Sequence, residues 1–106
     1  MTTNAVQRIT VQVAEELQPI VPRFLENRAK DIHLIQGALN QADFETIRRL
    51  GHSMKGAGGG YGFDQISVLG KAIEEAANDQ DRPRIGAALD TLTDFLARVT
   101  VEYIPD

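Results

Sequence analysis

Apolar residues recur every three or four positions along four separate segments of this 106-residue chain, and this spacing constrains its fold more than any other feature. A period near 3.6 residues places such side chains on one face of a helix, whereas a half-buried strand needs strict alternation. We find no alternating stretch long enough to predict a strand. The predicted inner faces carry Leu25, Arg28, Ile32, Ile35 and Leu39; Ile47, Leu50, Met54, Ala57, Gly58 and Tyr61; Ile66, Leu69, Ile73 and Ala76; and Ile85, Leu89, Leu92, Leu96, Val99 and Tyr103.

Short polar breaks separate the four segments. Pro19 and Pro22 mark the start of the first helix, because proline is tolerated in a first turn. Gly60 and Gly62 are expected to end the second helix. An aspartate stands at the start of each later helix, where its carboxylate can accept a hydrogen bond from a free backbone N–H. These predicted N-caps are Asp43, Asp64 and Asp81.

Four helices with short connections predict an all-α fold, an antiparallel up-down-up-down four-helix bundle. A short helix or turn carrying Ile9, Val13, Leu17 and Ile20 is expected to precede it. The length fits a single domain over residues 1–106, with the bundle core at about 19–103.

Composition excludes several classes of function. The chain has no cysteine, so disulfides and thiolate metal sites are absent, and its two histidines lie on different predicted helices with no close-spaced partner for a metal. The net charge of −4 argues against nucleic acid as a main partner. No apolar run approaches membrane-spanning length, and the first residues lack the apolar region of a signal peptide. We expect a cytoplasmic monomer without a cofactor or a metal.

His52 is the residue that most invites a functional interpretation. At 100° per residue it lies opposite the predicted core stripe of its helix, on the same side as the cations Arg48, Arg49 and Lys55. Nearby cations disfavour protonation of an imidazole, and a neutral ring has a free lone pair that can act as a nucleophile. The same cations suit an incoming phosphoryl group, and Lys55, at i+3, is well placed to reach a phosphate oxygen. The alternative is an ordinary surface histidine.

Four glycines close together follow His52. Glycine costs about 0.8–1 kcal/mol relative to alanine in a helix interior, so Gly56, Gly58, Gly59 and Gly60 cost about 3–4 kcal/mol if all are helical. Either the helix stops at Gly56, or the bare backbone has a use. In the second case Gly58 faces the bundle and permits close helix packing, whereas Gly56 and Gly59 flank His52 and leave room for another protein. Neither nucleotide-binding glycine pattern is present.

The sequence His52-Ser-Met-Lys55-Gly56-Ala-Gly58, followed by Tyr61-Gly62 and an apolar-patterned helix through Leu69 to Ile73-Glu74, resembles the histidine phosphotransfer (HPt) domain family. The resemblance is good over about 17–77 and rests on pattern alone in the last helix. It implies a phosphocarrier without catalytic machinery of its own, in which His52 accepts a phosphoryl group and exchanges it with a receiver-domain aspartate. It also implies that Lys55 neutralises the phosphate and that Gly56 lets the receiver dock. Response-regulator receivers and histidine kinases are the implied partners.

Two other interpretations stay open from sequence. A phosphoacceptor fragment of a histidine kinase normally has an acidic residue after the histidine and a proline soon after, but Ser53 follows here and the next proline is Pro83. A helical adaptor bundle whose histidine is never phosphorylated is the second. His33 is expected at a surface or boundary position, and Glu74 and Glu75 are expected on a solvated helix face.

Overall fold

The computed structural model describes residues 7–105. Within them lie four α-helices: α1 (Val21–Asn40), α2 (Phe44–Gly60), α3 (Asp64–Asn78) and α4 (Arg82–Arg98). Each pair of consecutive helices is joined by three residues, 41–43, 61–63 and 79–81. Such short connections make consecutive helices antiparallel neighbours. The predicted all-α four-helix bundle is confirmed. None of these helices is long and apolar enough to cross a bilayer.

The core is built from the predicted inner faces of all four helices. In α1 the buried stripe includes Phe24 and Ile35, while Leu25 and Leu39 lie half-buried at its edges. The described part of the chain contains no buried polar or charged residue. The hydrophobic effect therefore holds the helices together, and the ion pair of Arg28 with Asp31, at 3.0 Å, lies outside the fully buried core. The largest fully buried side chains are Phe63, Ile35, Ile47, Met54, Ile66, Ile73, Ile85, Leu92 and Val21.

Two of the three predicted N-caps are confirmed. The Asp43 carboxylate accepts hydrogen bonds from the Thr46 backbone N–H at 3.1 Å and from its hydroxyl at 2.6 Å. Asp81 accepts from the Arg84 backbone N–H at 3.1 Å. The prediction for Asp64 is wrong: Phe63 holds the N-cap position, and Asp64 is the first helical residue. There its carboxylate interacts with the positive end of the helix dipole instead of capping an N–H group.

Two strands correct the sequence analysis. Residues Ile9–Ala14 form β1 and Val99–Ile104 form β2, and the two strands pair in parallel with Ile9 opposite Val99. The predicted leading helix is wrong, apart from one 3-10 turn at Glu15–Leu17, and the last helix ends at Arg98 instead of Tyr103. Alternating side chains from both strands pack on the bundle core: Ile9, Val11, Val13, Val99, Val101 and Tyr103.

Helices α2 and α3 touch backbone to backbone. A Cβ added at Gly51 would lie 2.7 Å from the Glu74 backbone nitrogen, and one at Gly58 would lie 2.6 Å from that of Ser67. From the other side, a Cβ at Gly70 would collide with the Lys55 backbone nitrogen. The predicted inward position of Gly58 is confirmed. We call this line of contact, formed by Gly51, Gly58 and Gly70 with the backbone they face, the glycine seam.

The glycine seam makes a clear stability prediction. Gly70→Ala should destabilise the bundle by about 1–3 kcal/mol, because rigid backbone must move to admit the methyl group. The control is Gly37→Ala, in the interior of α1, where an added Cβ meets nothing within 4 Å. It should stabilise the protein by up to about 1 kcal/mol, since alanine is the better helix former. Chemical denaturation of the two variants tests this, and equal effects at both sites would contradict it.

Candidate functional site

His52 lies on the exposed face of α2, as predicted. Its side chain is 64% exposed, while Ile47, Met54 and Gly58 of the same helix are buried on the opposite side. A histidine in this position contributes little to the core. Its ring is open to a second molecule.

The side chain of Glu74 reaches across from α3 and binds both polar groups of the site. Its Oε2 lies 2.8 Å from His52 Nδ1, and its Oε1 lies 3.0 Å from Lys55 Nζ. The Glu74 side chain is only 16% exposed. The prediction of a solvated face is therefore wrong for Glu74, although it is confirmed for the exposed Glu75. We refer to His52, Lys55 and Glu74 together as the histidine triad.

The carboxylate of Glu74 determines which imidazole nitrogen is available. The hydrogen bond from Lys55, and then the one from His52, hold the pKa of Glu74 below its ordinary value of 4.5. An ionised carboxylate can only accept hydrogen bonds, so the contact at 2.8 Å requires the proton to be on His52 Nδ1. In the neutral ring, the lone pair is then on Nε2. The triad thus leaves Nε2 as the ring nitrogen whose lone pair is available to another molecule.

Both arginines pair with the carboxylate of Glu45. Arg48 forms a two-pronged pair with Glu45, at 2.6 Å and 3.1 Å, and Arg49 lies 4.0 Å from the same carboxylate. The hydrogen bond from Arg48 lowers the pKa of Glu45. The charged group hydrogen-bonded to the His52 ring is thus a carboxylate, whereas the sequence suggested an environment of cations. Arg49 is exposed and Arg48 is half-buried, and they precede His52 on α2 by three and four residues, about one turn.

The exposed glycines of α2 form an open surface beside His52. Since α2 continues to Gly60, the alternative in which the helix stops at Gly56 is wrong. A Cβ added at Gly56, Gly59 or Gly60 would meet nothing within 4 Å. Packing inside the domain does not require glycine at these positions.

A groove of about 550 Å³ runs between the start of α1 and the second half of α2. Ser53 and Ala57 line it from α2, and the stacked rings of Phe24 and Tyr61, with centroids 4.3 Å apart, lie at its base. Arg28 lines it from α1, with its guanidinium 4.8 Å from the Phe24 ring centroid. Sequence analysis missed this groove because it depends on how two helices are placed relative to each other.

His33 is separate from the site. It is exposed on α1 and lines a shallow cleft with Thr93 and Leu96 of α4. Among residues 7–105, no group of three or more His, Asp or Glu side chains is arranged to hold a metal ion.

The lowered pKa of Glu74 predicts how stability depends on pH. At Glu74 the folded protein binds fewer protons than the unfolded chain, so the contribution of Glu74 to stability is present above its unfolded pKa and is lost as the pH falls through its lowered folded pKa. The stability difference between the parent and Glu74→Gln should therefore shrink as the pH falls below about 4.5, the ordinary pKa of the glutamate. The exposed Glu75→Gln serves as the control, with a small and constant difference. Denaturation at several pH values measures both, and a constant difference for Glu74→Gln would refute the prediction.

Comparison with known protein families identifies the family of this chain. Residues 19–101 match the Hpt domain family, which covers all four helices and the beginning of β2. Nothing matches among curated proteins or among solved structures. Hpt domains are phosphocarrier modules of two-component signalling that interact with receiver domains and kinases. With most of its length matched, this chain belongs to the Hpt domain family.

Proposed function

We propose that the protein carries a phosphoryl group on His52 in a two-component phosphorelay, taking it from and returning it to the aspartate of a response-regulator receiver. A histidine kinase is a second donor that the same chemistry allows. The observation that carries the proposal is the bond between Glu74 and His52 Nδ1, which leaves Nε2 as the free nucleophilic nitrogen. Membership of the Hpt family supports it independently.

The transfer step balances without a base. The Nε2 lone pair forms a bond to phosphorus as the bond from phosphorus to the donor aspartate oxygen breaks, and that oxygen leaves with the electron pair as a carboxylate. The ring becomes a positively charged phospho-imidazolium whose Nδ1–H stays bonded to Glu74. The Glu74 carboxylate stabilises that positive charge as it develops. In the return step, a receiver aspartate attacks phosphorus and His52 leaves as a neutral ring.

Lys55 has a second role in the proposal. Its ammonium group lies 3.0 Å from Glu74 and has three donor hydrogens, so it can keep that pair and still donate to a phosphoryl oxygen. It follows His52 by three residues and therefore lies on the same helix face. We propose that it neutralises charge on the phosphorylated histidine.

The partner docks on the open side of α2. Gly56 and Gly59 leave the approach to His52 free of side chains, and the groove beside Ser53 has an aromatic base that an apolar side chain can cover. Arg48 and Arg49 add positive charge near this surface, which suits the acidic phosphorylation site of a receiver. The domain itself contributes the carrier and the docking surface, and the partner contributes the remaining chemistry.

Replacing the histidine tests the carrier role directly. His52→Gln should abolish labelling by phosphorylated receivers and change the free energy of unfolding by no more than about 0.5 kcal/mol, as for most surface substitutions. His33→Gln, the same change at the other exposed histidine, should label normally. Acid-labile label on the two variants gives the answer. Normal labelling of His52→Gln would rule out His52 as the acceptor.

Replacing a docking glycine separates stability from function. Gly59 lies seven residues after His52, two turns along the same face, with open space around it. Gly59→Leu should keep or raise stability, because leucine is a better helix former by about 0.8 kcal/mol, yet it should weaken receiver binding and slow transfer. Gly37→Leu, a change in the equally open α1 surface, should leave transfer unchanged. Receiver binding and phosphotransfer rates of Gly59→Leu and Gly37→Leu, measured with the same receiver, test this prediction. Unimpaired transfer by Gly59→Leu would place the docking surface elsewhere.

A further inference from the structure

The Ser67 hydroxyl makes a contact that the proposed mechanism does not use. It donates a hydrogen bond of 2.6 Å to the backbone carbonyl of Lys55, in a partly buried position between α3 and α2. Within α2 that carbonyl already lies at the acceptor position for the N–H of Gly59, and its second lone pair is free for Ser67. The bond therefore adds a link between helices without removing one from the α2 backbone.

The glycine seam explains why such a link matters. Packed helices normally keep their axial register because side-chain ridges of one fit grooves of the other. At this crossing Gly51, Gly58 and Gly70 present no side chain, and backbone lies against backbone. A backbone contact without side chains prevents the two helices from moving closer together. It resists the sliding of one helix along the axis of the other less strongly. A short hydrogen bond between a fixed hydroxyl and a fixed carbonyl resists sliding strongly, since its energy falls steeply with distance and angle.

The histidine triad depends on that register. Glu74 bonds His52 and Lys55 at once, at 2.8 Å and 3.0 Å, and these two residues are one turn apart on α2. A slide of α3 along the axis would change the length and the angle of both bonds together, so the carboxylate could no longer hold both partners in their present geometry. Ser67 lies two turns before Glu74 on α3, between the loop at 61–63 and the triad.

We propose that Ser67 is a positioning residue for phosphotransfer: its bond to the Lys55 carbonyl sets the register of α3 against α2 and so holds Glu74 on His52 Nδ1. This inference rests on the proposed function of His52. It assigns Ser67 no contact with the phosphoryl group or with a partner.

The test measures the ¹⁵N chemical shifts of the two ring nitrogens of His52. In protein labelled with ¹⁵N-histidine at pH about 9, where imidazoles are neutral, the parent should show His52 with its proton on Nδ1. Ser67→Ala should move both ring-nitrogen shifts towards a mixture of tautomers. Phosphorylation of His52 by a receiver should slow by up to about fivefold, the factor by which losing one hydrogen bond shifts the register equilibrium. Ser67→Cys has a thiol of similar shape that is a weak hydrogen-bond donor, so its nitrogen shifts and its phosphorylation rate should lie between those of the parent and Ser67→Ala. If Ser67→Ala does not fold, Ser67→Cys provides the test.

Thr93→Ala is the matched control. Its hydroxyl also donates to a backbone carbonyl, that of Leu89 at 2.8 Å, in a partly buried position, but within α4. It should leave the His52 nitrogen shifts and the phosphorylation rate unchanged. Unchanged shifts in both Ser67 variants, or equal shifts in Thr93→Ala, would overturn the positioning role. Because the nitrogen shifts need no phosphate, failure of His52 to accept phosphate in the parent would instead refute the proposed function alone.

Discussion

The close contact of α2 with α3 is the constraint on which the rest of the site depends. Three glycines bring the two backbones so near that a methyl group at Gly51, Gly58 or Gly70 has no room. The contact costs helix propensity, because each glycine is less favourable than alanine inside a helix. In return, a carboxylate on one helix can bind side chains on the next. With ordinary side chains at the crossing, helix axes lie 8–10 Å apart, and Glu74 would have farther to reach.

The position of Glu74 follows from that contact and decides the chemistry of His52. A surface imidazole alone has two nitrogens that exchange the proton freely. The hydrogen bond to the ionised carboxylate of Glu74 favours the neutral tautomer that carries its proton on Nδ1. In the proposed function, the nucleophilic atom is thus selected by a residue 22 positions away, on another helix.

The sequence predicted those parts of the structure that depend on local periodicity. The exposed side of His52, the inward side of Gly58 and the caps Asp43 and Asp81 all follow from spacing within one helix. It did not reveal Glu74 as a partner, because helical periodicity does not give the distance between two helices. One sequence pattern does indicate this contact. Gly51 and Gly58 lie on the side of α2 that faces α3, and Gly70 lies on the side of α3 that faces α2. Their close approach places residue 74 opposite residue 52.

The strands were missed for a related reason. Apolar residues stand at every second position in both segments, at Ile9, Val11 and Val13 and at Val99, Val101 and Tyr103. Ile9 and Val13, like Val99 and Tyr103, also fit the spacing of a helix, and such short segments are ambiguous between the two periods. The pairing that selects a strand comes from residues about ninety positions away, as in the contact of Gln12 with Glu102. A local pattern carries no information about a partner that distant.

The parallel pairing of β1 with β2 also determines how the domain responds to mechanical force. Because the strands run in the same direction, a pull applied at residues 7 and 105 acts on opposite ends of the ladder. The force then shears all the backbone hydrogen bonds between the strands together, instead of opening them one after another as in a hairpin pulled at its two free ends. The paired strands thus form a mechanical clamp, a set of hydrogen bonds that bears the force before the helical bundle does. Tension on the chain must rupture this clamp before it reaches the helices that hold His52 and Glu74.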